Sequence, residues 1–223
     1  RPTFSSAPTT PAVGTFEVEA GFTVDPHDWL DTPLTLKTGI SEETELFAGF
    51  SPFQSFDVPG PDPEGLSDLV VGMRHRFLEV DDTQAAFQLA TKLPTAKSEL
   101  SSRELDFFGA AIVSQRIDAL TVVGFYQLGL LGDPGDERVD LQHALALAAD
   151  LPLEGQVSIL GELTGVATED QPDLLFTTTG LTYAVSPSLV FDGAIRLGLN
   201  SDAPDFAFLV GFTSNFGPLF ALP

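Results

Sequence analysis

The chain has no cysteine, which removes disulfide scaffolds, Cys-ligated zinc and thiol catalysis. It has few bases: ten Lys and Arg stand against 32 Asp and Glu, a formal net charge of -22. Binding to a phosphate backbone needs clustered Lys and Arg, so no nucleic acid is expected as a partner. Histidine is sparse and scattered, at His27, His75 and His143, which speaks against a His-built metal site. No stretch of 18 or more apolar residues occurs, so no membrane-crossing helix is expected. The interfacial aromatics are almost absent as well, with two Tyr and one Trp beside 19 Phe. Charged residues make up 19%, below the soluble norm of about 25%. The first residues, RPTFSSAPTTPAVG, carry neither Met nor a leader and read as a mature, processed N-terminus.

What is present is a rhythm. Segments alternating apolar and polar residues recur about a dozen times, from GTFEVEAGFTV at Gly14 to DFAFLVGFTSNF ending at Phe216. The candidate strands fall at roughly 14–24, 33–40, 43–52, 67–78, 83–93, 104–116, 119–131, 139–150, 155–166, 174–184, 188–199 and 205–216. A length of about 9–11 residues is what a tilted strand needs to cross a bilayer. In the fourth segment Leu69, Val71, Met73, His75 and Phe77 share one face, while Val70, Gly72, Arg74 and Arg76 share the other. Connections after even strands are short, as at Ser41–Glu42 and Ile117–Asp118, whereas most of those after odd strands are long and rich in Pro, Asp and Gly. An up-and-down barrel puts all connections of one parity on one side, and outer-membrane barrels have short periplasmic turns and long outer loops. The expected fold is therefore all-β, an antiparallel up-and-down transmembrane barrel of about 12 strands. It spans 14–216, with a Pro-rich N-terminal tail at 1–13 and a C-terminal extension at 217–223.

Several segments bear a family likeness. GLSDLVVGMRHRFL (65–78) leads into AAFQLATKLPTA (85–96), a Gly-x-x-Asp-x-x-x-Gly-x-Arg-x-Arg strand followed by a Lys-Leu-Pro-Thr turn. DFFGAAIVSQRI, GFYQLGLLGDP, SILGELTG and GLTYAVSPSLVFDGAIRLGLNSDAPDFAFLVGF come after it in order. Together they resemble the outer-membrane β-barrel family labelled "MetA-pathway of phenol degradation", whose members are described as candidate transporters. The resemblance runs from about residue 14 to 213 and implies transport rather than enzyme activity. Two departures stand out. Such barrels often end in an aromatic residue, yet this chain runs on past Phe216 as GPLFALP, leaving Phe216 or Phe220 for that role. The aromatic belts would also be built from Phe, which lacks a polar handle for the headgroup region.

The charges fall on the face opposite the apolar one. Glu17, Glu19, Lys37, Glu45, Arg74, Arg76, Lys92, Arg116, Glu162, Asp192 and Arg196 are expected to point into the lumen and line a pore, because the outer face must be apolar. The competing reading is a lumen filled by its own salt bridges, since a 12-stranded barrel is narrow. The long connections are acidic, and Asp133, Asp136 and Glu137 in GDPGDE form the nearest thing to a Ca²⁺ site, without EF-hand spacing. No cofactor is expected. Nor is an enzyme: the barrel phospholipases need a Ser–His relay, no Gly-x-Ser-x-Gly motif occurs, and His75 and His143 sit mid-strand on the apolar face.

These features describe a channel or passive transporter for small, including hydrophobic, molecules in a bacterial outer membrane, with membrane lipid around it. The alternative is a structural barrel that assembles with its own copies or another protein through residues 1–13 and 217–223. A soluble sandwich or lectin-like domain is the reading the sorted turns disfavour.

Overall fold

The computed structural model describes every residue except 1–2, 27–28, 58–62, 134, 136–137 and 219–223. All described elements are strands: β1 Phe16–Asp25, β2 Trp29–Asp31, β3 Leu34–Gly39, β4 Thr44–Phe50, β5 Gln54–Phe56, β6 Glu64–Gly65, β7 Leu69–Val80, β8 Thr83–Leu93, β9 Asp106–Ile117, β10 Leu120–Gly132, β11 Val139–Pro152, β12 Val157–Thr168, β13 Leu174–Ser186, β14 Leu189–Gly198 and β15 Phe206–Phe216. Twelve of them close a ring in the order β1, β3, β4, β7 and then β8 through β15. Closure is made by β15 on β1, in register from Phe16↔Phe216 to Val24↔Phe208. Every ladder of the ring is antiparallel, as the sorted turns require. The twelve expected segments are these twelve strands.

The remaining three strands were not anticipated. β2 pairs with the upper end of β1, β5 with β2, and β6 with β5, so these three short strands form a small ribbon above the first strands. On the opposite side the turns are tight. Asp81 and Asp118 open two-residue turns with φ of 51° and 54°, a left-handed conformation that Asp tolerates better than most residues.

Facing follows the two-residue period. On β11 Leu145 and Leu147 are 60% and 58% exposed while Ala144, of the opposite parity, is 0% exposed. Outward rows of Phe22, Leu36, Leu46, Phe77, Leu89, Phe107, Leu163, Leu181, Phe191, Ile195, Phe208 and Val210 run round the ring. Such an apolar belt is costly in water and is the solvent-matched surface of a barrel in lipid. Phe216, the last residue of β15, is itself outward and exposed; Phe220 lies outside the described residues.

Candidate functional site

The inner face is divided into arcs. On β1, β3, β4 and β7 it is charged. Lys37 Nζ donates to Glu17 Oε1 at 3.0 Å and Glu19 Oε1 at 2.7 Å. Next to them Arg74 Nη1 lies 3.4 Å from Glu45 Oε1, and Glu45 is fully buried. Arg74 also donates to Gln88 Oε1 through Nη2 at 2.8 Å. These bases sit opposite acids because registered neighbours, Glu17↔Lys37 and Glu45↔Arg74, put them side by side across the ladder.

From β8 to β11 the middle of the inner face is apolar and mostly small: Ala86, Ala110, Ile112, Val123, Phe125, Ala146 and Ala148 form one buried cluster, with polar residues beside it, Gln88 against Arg74 and Ser114 and Asp150 toward the strand ends. The rest of the ring, β12 to β15, mixes Glu162, Thr164, Thr178 and Asp192 with Ala194, Ala207 and Leu209, all buried. Arg196 lies in this arc, with Nε 3.4 Å from Thr178 Oγ1 and its guanidinium 5.5 Å from the Phe176 ring centre.

Across the apolar arc lies a piece of the chain that the sequence reading left outside the barrel. Residues 3–13, part of the Pro-rich tail expected outside the barrel and, in the alternative reading, of a partner-docking arm, run through the lumen. Glu162 accepts three hydrogen bonds from it: Phe4 N at 2.7 Å, Ser5 N at 2.8 Å and Ser5 Oγ at 2.5 Å. Phe4 stands edge-on to Phe125 with ring centres 5.8 Å apart. Arg74 Nη1 donates to Ala7 O at 2.8 Å, and Ser5 and Pro8 are buried. At the short-turn end the segment is pinned by Thr10 Oγ1 to Glu42 O at 3.0 Å and by a parallel bridge of Val13 to Gly39. Gly39 is needed there, because a Cβ would lie 2.2 Å from Pro11 O. The segment's charge-assisted bonds are the stronger class of hydrogen bond, which suits a strand with no ladder of its own.

Two cavities remain beside the segment. One, of about 780 Å³, reaches toward the short turns and is lined by Thr9, Thr10, Glu17, Asp150, Thr182 and Asn215 among others. The second, of about 350 Å³, lies toward the long loops, with Phe47, Phe50, Ser51, Ser67 and Asp68 in its wall. Both touch Ser6, Glu19, Thr35, Lys37 and Arg74, which therefore form the neck between them.

Of the residues expected to line a pore, Glu17, Glu19, Lys37, Glu45, Arg74, Glu162, Asp192 and Arg196 lie deep in the lumen. Three do not. Lys92 is at the long-loop rim, 2.7 Å from Asp106 and 3.7 Å from Asp68, and donates to Ser102 Oγ; Asp68 in turn accepts from Ala96 N and Ser101 Oγ, so this group ties down loop 94–105. Arg76 bonds Glu42 O and Glu79 at the turn side. Arg116, at the end of β9, pairs with Asp82 of the β7–β8 turn at 2.6 Å and is exposed. All three have the inward parity, but they stand at the ends of their strands, where local carboxylates are nearer than the lumen. His75 bonds Thr44 Oγ1 and His143 bonds Tyr126 Oη, each at 2.9 Å on the outward face. Asp133 Oδ1 caps Gly135 N, while Asp136, Glu137 and His27 lie outside the described residues. Among the described residues no group of three His, Asp or Glu is placed to hold a metal.

No family model matches the chain, and no curated protein matches it. Solved structures do. The chain is similar to the COG4313 outer membrane channel from Pseudomonas putida F1, with a TM-score of 0.76 over 96% of this chain and 100% of that one at 9% identity. It is also similar to the KdgM porin (TM-score 0.65, 10% identity, 90% and 99% covered) and the NanC porin (0.64, 12%, 89% and 98%). At these identities the likeness is one of fold: a 12-stranded outer-membrane-type barrel.

Proposed function

We propose that the protein is an outer-membrane channel for small solutes whose bore is narrowed by its own N-terminal segment. The carrying observation is the pair of lumen cavities that meet at the neck of Ser6, Glu19, Thr35, Lys37 and Arg74, inside a closed barrel with an apolar outer belt. Membership of the phenol-degradation transporter family and placement in a bacterial outer membrane after leader removal belong to the same reading. The fold shared with outer-membrane channels supports it.

The solute class follows from the lining. Of the residues expected to line the pore, five carboxylates, Glu17, Glu19, Glu45, Glu162 and Asp192, stand deep in the lumen against three bases, Lys37, Arg74 and Arg196, and Asp150 adds a further carboxylate to the larger cavity's wall. An acid-rich, low-dielectric bore concentrates cations and repels anions. The apolar arc of Ala86, Ile112, Val123 and Phe125 gives apolar groups a surface to follow. Neutral or cationic solutes with apolar parts fit both. Assembly with a partner through residues 1–13 would need that segment to leave Glu162 and Arg74. The test is the reversal potential of single channels in a tenfold KCl gradient. The reading gives a potential of the sign for K⁺ over Cl⁻; a Cl⁻-selective potential refutes the solute class, and absence of any conductance refutes the channel.

A further inference from the structure

Glu162 differs from the carboxylates of the charged arc. Glu17 and Glu19 face Lys37, and Glu45 faces Arg74. Glu162 is 3% exposed, yet its registered neighbours are Ala148 on β11 and Thr178 on β13. The first base along that row, Arg196, stands one strand further on, beyond Thr178, and is turned to Thr178 Oγ1 and the Phe176 ring. Among the described residues no Lys or Arg makes an ion pair with Glu162. A buried carboxylate is costly unless a positive charge or several donors answer it. Here the answer is neutral: the N–H groups of Phe4 and Ser5 and the Ser5 hydroxyl.

The way Phe4 is held defines a shape. Its nitrogen lies 2.7 Å from Glu162 Oε1, and its ring stands edge-on to Phe125 with centres 5.8 Å apart. Two carbons, Cα and Cβ, join that nitrogen to the ring. This is the skeleton of a 2-arylethylamine, with an amide nitrogen in the place of the ammonium. Phe125 belongs to a cluster with Val123, Ala146 and Ala148, which offers a ring an apolar seat of small side chains. The seat is not sealed. Phe4 is 37% exposed, and Val123 and Ala148 also wall the 780 Å³ cavity.

We propose that Glu162 and the Phe125 cluster form a binding subsite for 2-arylethylammonium ions, and that such an ion binds by taking the place of Phe4 and freeing the end of the N-terminal segment. As the identity of a carried solute this rests on the channel reading; as a binding site it stands without it. The exchange keeps the ring contact and replaces a neutral donor by a full positive charge on a buried carboxylate, the stronger class of hydrogen bond. The tether of the segment opposes it, since Phe4 competes at a high effective concentration. A neutral aromatic keeps only the ring contact, and a small alkylammonium keeps only the charge, so the subsite selects for the two together.

Isothermal titration calorimetry of the purified full-length protein in detergent, with 2-phenylethylammonium chloride as the probe, reads the binding directly. Saturable binding is expected, together with greater protease cleavage within residues 3–13. Glu162→Gln should weaken binding by at least about tenfold, the worth of one hydrogen bond to a charged group. Phe4→Ala, which removes the competing ring, should tighten it several-fold. 2-Phenylethanol and ethylammonium should each bind far more weakly than the probe. Ala146→Phe fills the ring seat without touching the carboxylate and should also weaken binding, which keeps the test open if the Glu162→Gln barrel fails to fold. Binding that is absent, that is unchanged in both Glu162→Gln and Ala146→Phe, that is no tighter in Phe4→Ala, or that is matched by 2-phenylethanol overturns the subsite. A protein that conducts KCl in planar bilayers but does not bind the probe loses the subsite and keeps the channel. One that binds the probe as expected but never conducts keeps the subsite and loses the channel.

Discussion

The charged arc of β1, β3, β4 and β7 and the apolar arc of β8 to β11 line the same lumen but solve opposite problems. In the first, long side chains fill the space and answer one another: Lys37 lies between Glu17 and Glu19, and Arg74 meets Glu45. In the second, Ala86, Ala110, Ala146 and Ala148 leave space unfilled, and the N-terminal segment occupies it with Phe4 against Phe125. The segment is fastened at the margins of the apolar arc, on Arg74 to one side and on Glu162 to the other. A self-satisfied wall is rigid, whereas a wall completed by a detachable strand can change its bore. On the proposed channel function, the apolar arc is the half whose bore depends on the N-terminal segment.

Removing Arg74 should have the largest effect, because it serves both halves. Arg74→Ala leaves Glu45 buried without its base and frees Ala7. A broken buried pair costs about 3–5 kcal/mol, to be read as a lowered temperature for the heat-induced gel shift of the folded barrel. A stability unchanged within error would mean that the charged arc is not held by its pairs. Filling the apolar arc comes next. Ala146→Phe competes with Phe4 for the surface beside Phe125; overpacking costs about 1–3 kcal/mol, and the relief available is expulsion of the segment. Greater protease cleavage within residues 3–13 is the expected readout, and protection equal to the native protein would contradict it. Glu162→Gln is the mildest change. One acceptor oxygen becomes an NH₂ that faces the Phe4 and Ser5 donors, weakening the anchor by about 1–2 kcal/mol. Channel openings should become larger or noisier while barrel stability stays near native.

The contrast also explains what could be read from the chain beforehand. Strands such as β7 and β14 were legible because a period of two between sorted turns leaves few alternatives. β2, β5 and β6, of three, three and two residues, are too short to show a period and exist only through their neighbours. Parity placed Glu162, Arg74 and Lys37 inward, but parity says nothing of height. Lys92, Arg76 and Arg116 share the inward phase and spend their charges at the rims, where Asp106, Glu79 and Asp82 wait. The plug was invisible from its own composition, since Ser, Thr and Pro read as an unstructured tail. Its signal lay elsewhere, in the run of inward alanines at 144, 146 and 148, which hollow one arc of a barrel otherwise narrow enough to fill itself.

If the barrel is a channel, residues 3–13 narrow its lumen. The direct measurement is single-channel conductance in planar bilayers for the native protein and for a form lacking the residues up to Ala12. The shortened protein is expected to conduct several-fold more KCl with the same preference for K⁺. A conductance unchanged by the deletion, or absent from both proteins, would contradict it.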